Sequence, residues 1–260
     1  SNTHGYCADP ADTEDHGIRF TENERWTCLL QKKLGEEYLV TEEGLSGRTT
    51  VFADPLHESM DALSVAYAIL KSHEVIDLLV IMLGTNDTKD RFAANELCIS
   101  LGLSRLIQKC RSVDCWGGKT PNILVVCPPP MGKEMKDPGM GFTCVEKSEK
   151  LAPYFKEQAA LNGCAFLDAA GCEFNAIDHM HLTKKGHAQI AEIIFEKVRK
   201  ELKRAGYDRR LPEGIVLTGG GARMRDIDVF AKADSVELII NGKSVGKKKI
   251  NCYQALFKAR

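Results

Sequence analysis

Four short apolar runs, each separated from the next by a stretch of helical spacing, constrain the fold of this chain most. "YLVTEE" at 38–43 reads as a short strand, and "IDLLVIML" at 76–83 as one buried on both faces. "NILVVCP" at 122–128 and "CAFLDA" at 164–169 read as two more. Arg25 to Leu34, ahead of the first run, and the intervening stretches Glu58 to Ser72, Phe92 to Gln108 and Glu146 to Leu161 read as amphipathic helices. Strands alternating with helices predict a parallel sheet covered on both faces. In such sheets ligands bind beyond the carboxyl ends of the strands, so chemistry is sought just after each one.

Composition narrows the class further. At 260 residues the chain can hold one sizeable core and a small second unit. A formal charge of -1 provides no basic field for nucleic acid or anionic lipid. The longest apolar runs are strand-length, too short to cross a membrane. The ten cysteines are scattered, with neither CxxC pairs nor His/Cys ligand spacing, so no metal site is expected. Reduced, mostly buried thiols in a cytoplasmic protein account for them. The sequence opens on Ser1 rather than on an initiator Met, and no signal peptide is expected.

Three strand ends carry polar or turn-forming residues. "GLSGRTT" follows the first run, and its Gly44 and Gly47 permit tight turns that can aim N–H groups at a ligand. "GTNDTKD" follows the second and places the Asn86 amide at the strand tip. After the fourth, the loop reaches "DHMHL" at 178–182, ahead of a helix that Thr183 can cap and that Ile190, Ile193, Ile194, Val198 and Leu202 make amphipathic. An aspartate three residues before a histidine can reach its Nδ1 and leave Nε2 to accept a proton. That spacing selects His181, with Asp178 as its partner, over His179. Singly, each of these segments passes as an ordinary loop.

Taken in order, "GLSGRTT", "LVIMLGTNDTK", "ILVVCPPP" and "DHMHLTKKGH" resemble blocks of the SGNH/GDSL hydrolases, in particular the branch of cytoplasmic arylesterases and acyltransferases. "SNTHGY" resembles the first block beginning at its serine. The resemblance covers roughly Ser1 to Gly206 and implies a flavodoxin-like three-layer α/β/α sandwich. It implies a nucleophile, Ser1, a general base, His181, oriented by Asp178, and an oxyanion hole from Ser1, Gly47 and Asn86. Trp26, in the family's "RW" pair, Arg48 and Thr85 are the substrate-side candidates, although Trp26 also suits a helix core and Arg48 and Thr49 also suit a turn that they hold. "MGKEMKDPGMGFTC" at 131–144 is a candidate determinant of acyl or alcohol preference. The implied reaction acts on small acyl esters without metal or cofactor, with a small-molecule partner and the homo-oligomers known in that branch.

Under the same alignment the family's first strand and its Gly-Asp, which precede the serine, are absent. A truncated chain is expected, with an inactive remnant as the alternative outcome and a nucleophile served by its own amine as another. After Gly206 the pattern changes. "GIVLTGGGARMRDID" resembles a glycine-rich segment of actin-like ATPases, and "SVELIINGKSVGKKK" resembles a strand, Asn-Gly turn and strand from glycoside hydrolase β-sandwiches such as those of β-galactosidases. The division expected is a hydrolase domain over 1–206 and an atypical tail with a small β appendage over 207–260.

Overall fold

The structure, a computed structural model, describes residues 1–73, 75–204, 235–240 and 243–249. It divides into two units, Ser1–Gly206 and Tyr207–Arg260. In the first, the order is α1 (Trp26–Leu34), α2 (Ala62–Ser72), β1 (Leu79–Ile81), α3 (Glu96–Ser112), β2 (Ile123–Cys127), α4 (Cys144–Leu161), β3 (Ala165–Asp168) and α5 (Lys184–Arg204). In the second, β4 (Ser235–Ile240) pairs antiparallel with β5 (Lys243–Lys249). The glycines of 219–221 lie outside the described residues.

The three strands of the first unit form a parallel sheet in the order β1-β2-β3. Every residue of β2 is buried, as a central parallel strand requires. Ile123, Val125 and Cys127 point into a core shared with Ala66 and Leu70 of α2, Leu103 and Ile107 of α3, and Leu151 and Phe155 of α4. Leu124 and Val126, equally buried, face the other way because side chains alternate along a strand. There α5 contacts β3 and packs against α1. The result is the expected α/β layering.

Several expected elements shift or fail. Tyr38–Glu43 forms no strand among the described residues. A strand persists through its ladder partners, and among the described residues β1 pairs only with β2. Side chains of α1 and of Arg25, which precedes it, hold the 38–43 segment instead. Gln31 donates to the carbonyls of Gly35 and Tyr38 and accepts from the Val40 amide at 2.7 Å, while Glu42 pairs with Arg25 at 3.0 Å. Helix α2 starts at Ala62 because the Asp61 carboxylate caps the Ser64 amide at 2.8 Å. Helix α3 starts at Glu96, where Asn95 caps Cys98, and the residues before it form a 3-10 turn over Asp90–Phe92.

A buried histidine fastens α1 to α5. The Trp26 amide donates to His187 Nδ1 at 3.2 Å, so the neutral ring carries its proton on Nε2, which is buried with no partner among the described residues. Burial lowers the His187 pKa from 6.5 to about 3. With the folded value below the unfolded one, the neutral ring's contribution is complete above 6.5 and is lost as pH falls toward 3. Wild type should therefore lose up to about 1.4 kcal/mol per pH unit relative to His187→Gln across that window. Urea unfolding of both proteins at pH 7, 6, 5 and 4 checks this, and a stability difference independent of pH contradicts it.

Candidate active site

The segment after β3 is built around two polar side chains that fold the loop onto itself. Asn175 Oδ1 accepts from the amides of Ile177 and Asp178, and its Nδ2 donates to Asp178 Oδ1 and to the His181 carbonyl. Asp178 Oδ1 also accepts from the amides of Met180 and His181 at 3.0 Å. This leaves Asp178 Oδ2 aimed at His181 Nδ1, 2.6 Å away. Burial works to raise the Asp178 carboxyl, but the His181 ring, the His181 amide and the Met180 amide outweigh it and hold it well below the usual carboxylate range. An ionised carboxylate therefore fixes the imidazole with Nε2 directed away from it. The helix that follows begins as its sequence predicts, with Thr183 Oγ1 accepting from the Gly186 amide at 3.0 Å.

The chain start lies against this loop. Asn2 Oδ1 accepts from the Leu182 amide at 3.1 Å, and the Tyr6 ring sits 4.6 Å from the His181 ring, centroid to centroid. Ser1 is turned by its own carbonyl, which accepts from the amides of Gly5 and Tyr6. The Ser1 amine donates to the Leu45 carbonyl at 3.2 Å, which brings the serine beside "GLSGRTT" and commits a group that the resemblance assigns to the oxyanion hole. Among the described residues Ser1 Oγ and His181 Nε2 share no hydrogen bond; catalytic hydrogen bonds are often long until substrate is bound.

Gly47 has φ +87°, and a Cβ there would meet no atom of the described residues within 4 Å, so backbone conformation demands glycine. Asn86 opens a short 3-10 turn, Asn86–Thr88, at the end of β1. The two loops are joined by Asp87, whose Oδ1 accepts from the Thr50 amide at 2.8 Å and from the Thr50 hydroxyl at 2.5 Å. Asp87 is fully buried, and among the described residues its Oδ2 has no partner. Burial pushes its carboxyl up to about 6 against the two Thr50 bonds. A second tie on this segment is the buried Asp54, paired with Lys89 at 3.1 Å and Arg91 at 3.2 Å. Asp90 in turn accepts from the amides of Phe142 and Thr143, anchoring the end of the 131–144 loop.

The structure thus joins Asp178 and His181 directly, links their loop to the chain start through Asn2 and Tyr6, and ties the Asn86 turn to the Gly47 turn. Trp26 is buried, and its amide donates to His187. Arg48 is largely buried, donates weakly to the Glu43 carbonyl at 3.4 Å, and has an Nε with no partner among the described residues. The Thr85 carbonyl accepts from the Thr88 hydroxyl. Asn175 and Asp87 were not singled out by sequence, although the spacing of Asn175 to Asp178 and the adjacency of Asp87 to Asn86 were available as signals.

Residues 1–189 match the GDSL-like lipase/acylhydrolase family. The carbohydrate acetylesterase Est24 of Sinorhizobium meliloti is 32% identical, with 77% of this chain and 95% of that one covered and a TM-score of 0.68. The aryl esterase of M. smegmatis is also 32% identical, with 78% and 96% covered and a TM-score of 0.70. The chain belongs to the GDSL-like lipase/acylhydrolase family and is an ester hydrolase. No curated protein matches it. Residues 223–260 match a domain family of unknown function, DUF4982, which lends no support to the actin-like or β-galactosidase resemblances of the tail.

Proposed function

We propose that the chain is a serine esterase and acyltransferase for small acyl esters, working through Ser1, His181 and Asp178. The observation that carries this reading is the 2.6 Å bond from His181 Nδ1 to a carboxylate held ionised, on a loop hydrogen-bonded to the chain start. His181 Nε2 takes the Ser1 hydroxyl proton as Oγ attacks the ester carbonyl. The carbonyl oxygen becomes an oxyanion, received by the Gly47 N–H and the Asn86 side-chain amide. Collapse breaks the ester C–O bond, and the imidazolium returns its proton to the leaving alcohol. Water, or a second alcohol, then attacks the acyl enzyme with the same base, releasing Ser1.

Acetyl is the favoured acyl group, since one neighbour is named an acetylesterase. The nine described cysteines are all unpaired, which supports a reducing compartment such as the cytoplasm. A fluorophosphonate probe should label Ser1 in the folded protein. Ser1→Ala should lose both labelling and p-nitrophenyl acetate turnover, on the order of 10⁴-fold or more, with an unchanged melting temperature. A folded wild-type sample that neither labels nor turns over the ester overturns the reading in favour of an inactive remnant.

A further inference from the structure

We propose that Asp87 is a positioning residue for oxyanion stabilisation, clamping the turn that carries Gly47 to the turn that carries Asn86 through Thr50. The inference rests on the oxyanion roles proposed above for those two residues.

Asp87 directly follows Asn86, and Thr50 stands three residues after Gly47. One carboxylate oxygen takes both Thr50 donors, amide and hydroxyl. Each partner sits on backbone that is itself fixed. On one side the Asp87 amide donates to the Gly84 carbonyl at 3.2 Å and the Lys89 amide to the Asn86 carbonyl at 3.3 Å, so the Asn86 turn is closed on both sides. On the other, Thr49 donates to the Phe52 carbonyl, and the Thr49 and Thr50 carbonyls accept from Ala62 and Leu63 at the start of α2. Room for the clamp comes from Gly102 of α3, where a Cβ would lie 3.0 Å from the Thr50 hydroxyl and 2.8 Å from Val51.

Stability alone does not account for this residue. Asp87 is wholly removed from solvent and among the described residues one of its oxygens has no partner, an arrangement that costs free energy relative to an apolar side chain of similar size. Oxyanion donors, by contrast, act only within a few tenths of an ångström of their required distance, so a rigid link between the turns bears directly on rate.

The test compares Asp87→Asn, Thr50→Val, Thr50→Ser and the Asp87→Asn/Thr50→Val double variant in the full chain, with p-nitrophenyl acetate as substrate. Asp87→Asn and Thr50→Val should each lower kcat about 10- to 100-fold with KM within about twofold. Thr50→Ser, which keeps the hydroxyl, should restore kcat to within about threefold of wild type, and the double variant should be no slower than the slower single one. Active wild type with Asp87→Asn or Thr50→Val at undiminished kcat, or losses that multiply in the double variant, overturns the clamp alone. Should Asp87→Asn not fold, the Thr50 pair decides by the same criteria. An unlabelled, inactive wild type would overturn the proposed function and this inference together.

Discussion

His181→Gln should lower kcat/KM for p-nitrophenyl acetate by on the order of 10⁴ to 10⁶, leaving the folded structure intact. The reason lies in how the loop is built. The His181 backbone is held without its ring: its carbonyl accepts from the Asn175 amide and side chain, and its amide donates to Asp178. Glutamine therefore keeps the loop and removes only the base. An alcohol is a poor nucleophile without a base to take its proton, and the same group must later protonate the leaving alcohol, so both halves of the reaction fail together. Asp178→Asn should fall by on the order of 10⁴, because an amide cannot favour the imidazolium or the Nδ1–H tautomer. Steady-state kinetics and fluorophosphonate labelling rates, read beside melting curves, make the comparison. Activity within tenfold of wild type in folded His181→Gln would remove His181 from the mechanism.

The central sheet was legible because its strongest segment is local in cause: five consecutive buried apolar residues at Ile123–Cys127 have no other solution in an α/β chain. The Asp178 and His181 pair was legible for the same reason, since i and i+3 on one turn suffice to bring carboxylate and ring together. Tyr38–Glu43 failed because its apolar Leu39 and Val40 specify a strand only when a neighbouring strand accepts them, and Gln31 satisfies that backbone instead. Helix starts at Ala62 and Glu96 were set by caps at Asp61 and Asn95, one polar residue each, which periodicity does not register. Asp87 was invisible for a different reason. A carboxylate in "GTND" reads as a solvated turn residue until a threonine thirty-seven positions earlier proves to be its partner. His187, in "KKGH", likewise reads as polar, and only the packing of α1 onto α5 buries it.

Gly84→Ala should destabilise the first unit by about 2 to 6 kcal/mol, a large share of the roughly 5 to 15 kcal/mol that holds a typical domain together. Two independent terms contribute. Gly84 has φ +127°, a conformation in which any Cβ is strained. That Cβ would also lie 2.8 Å from Phe155 Cζ and 3.0 Å from its Cε2. Phe155 is fully buried on α4 within the main core, so its ring cannot withdraw without displacing neighbours. The Gly84 carbonyl accepts from the Asp87 amide, hence any backbone shift that relieves the clash moves Asn86 as well, and kcat should fall with stability. Urea unfolding should show a lower midpoint with an unchanged slope. Adding Phe155→Leu to Gly84→Ala should relieve the steric term and leave the backbone term. The double variant should then lose less than the separate losses of the two single ones combined. A Gly84→Ala protein within about 0.5 kcal/mol of wild type would show that neither term operates at the end of β1.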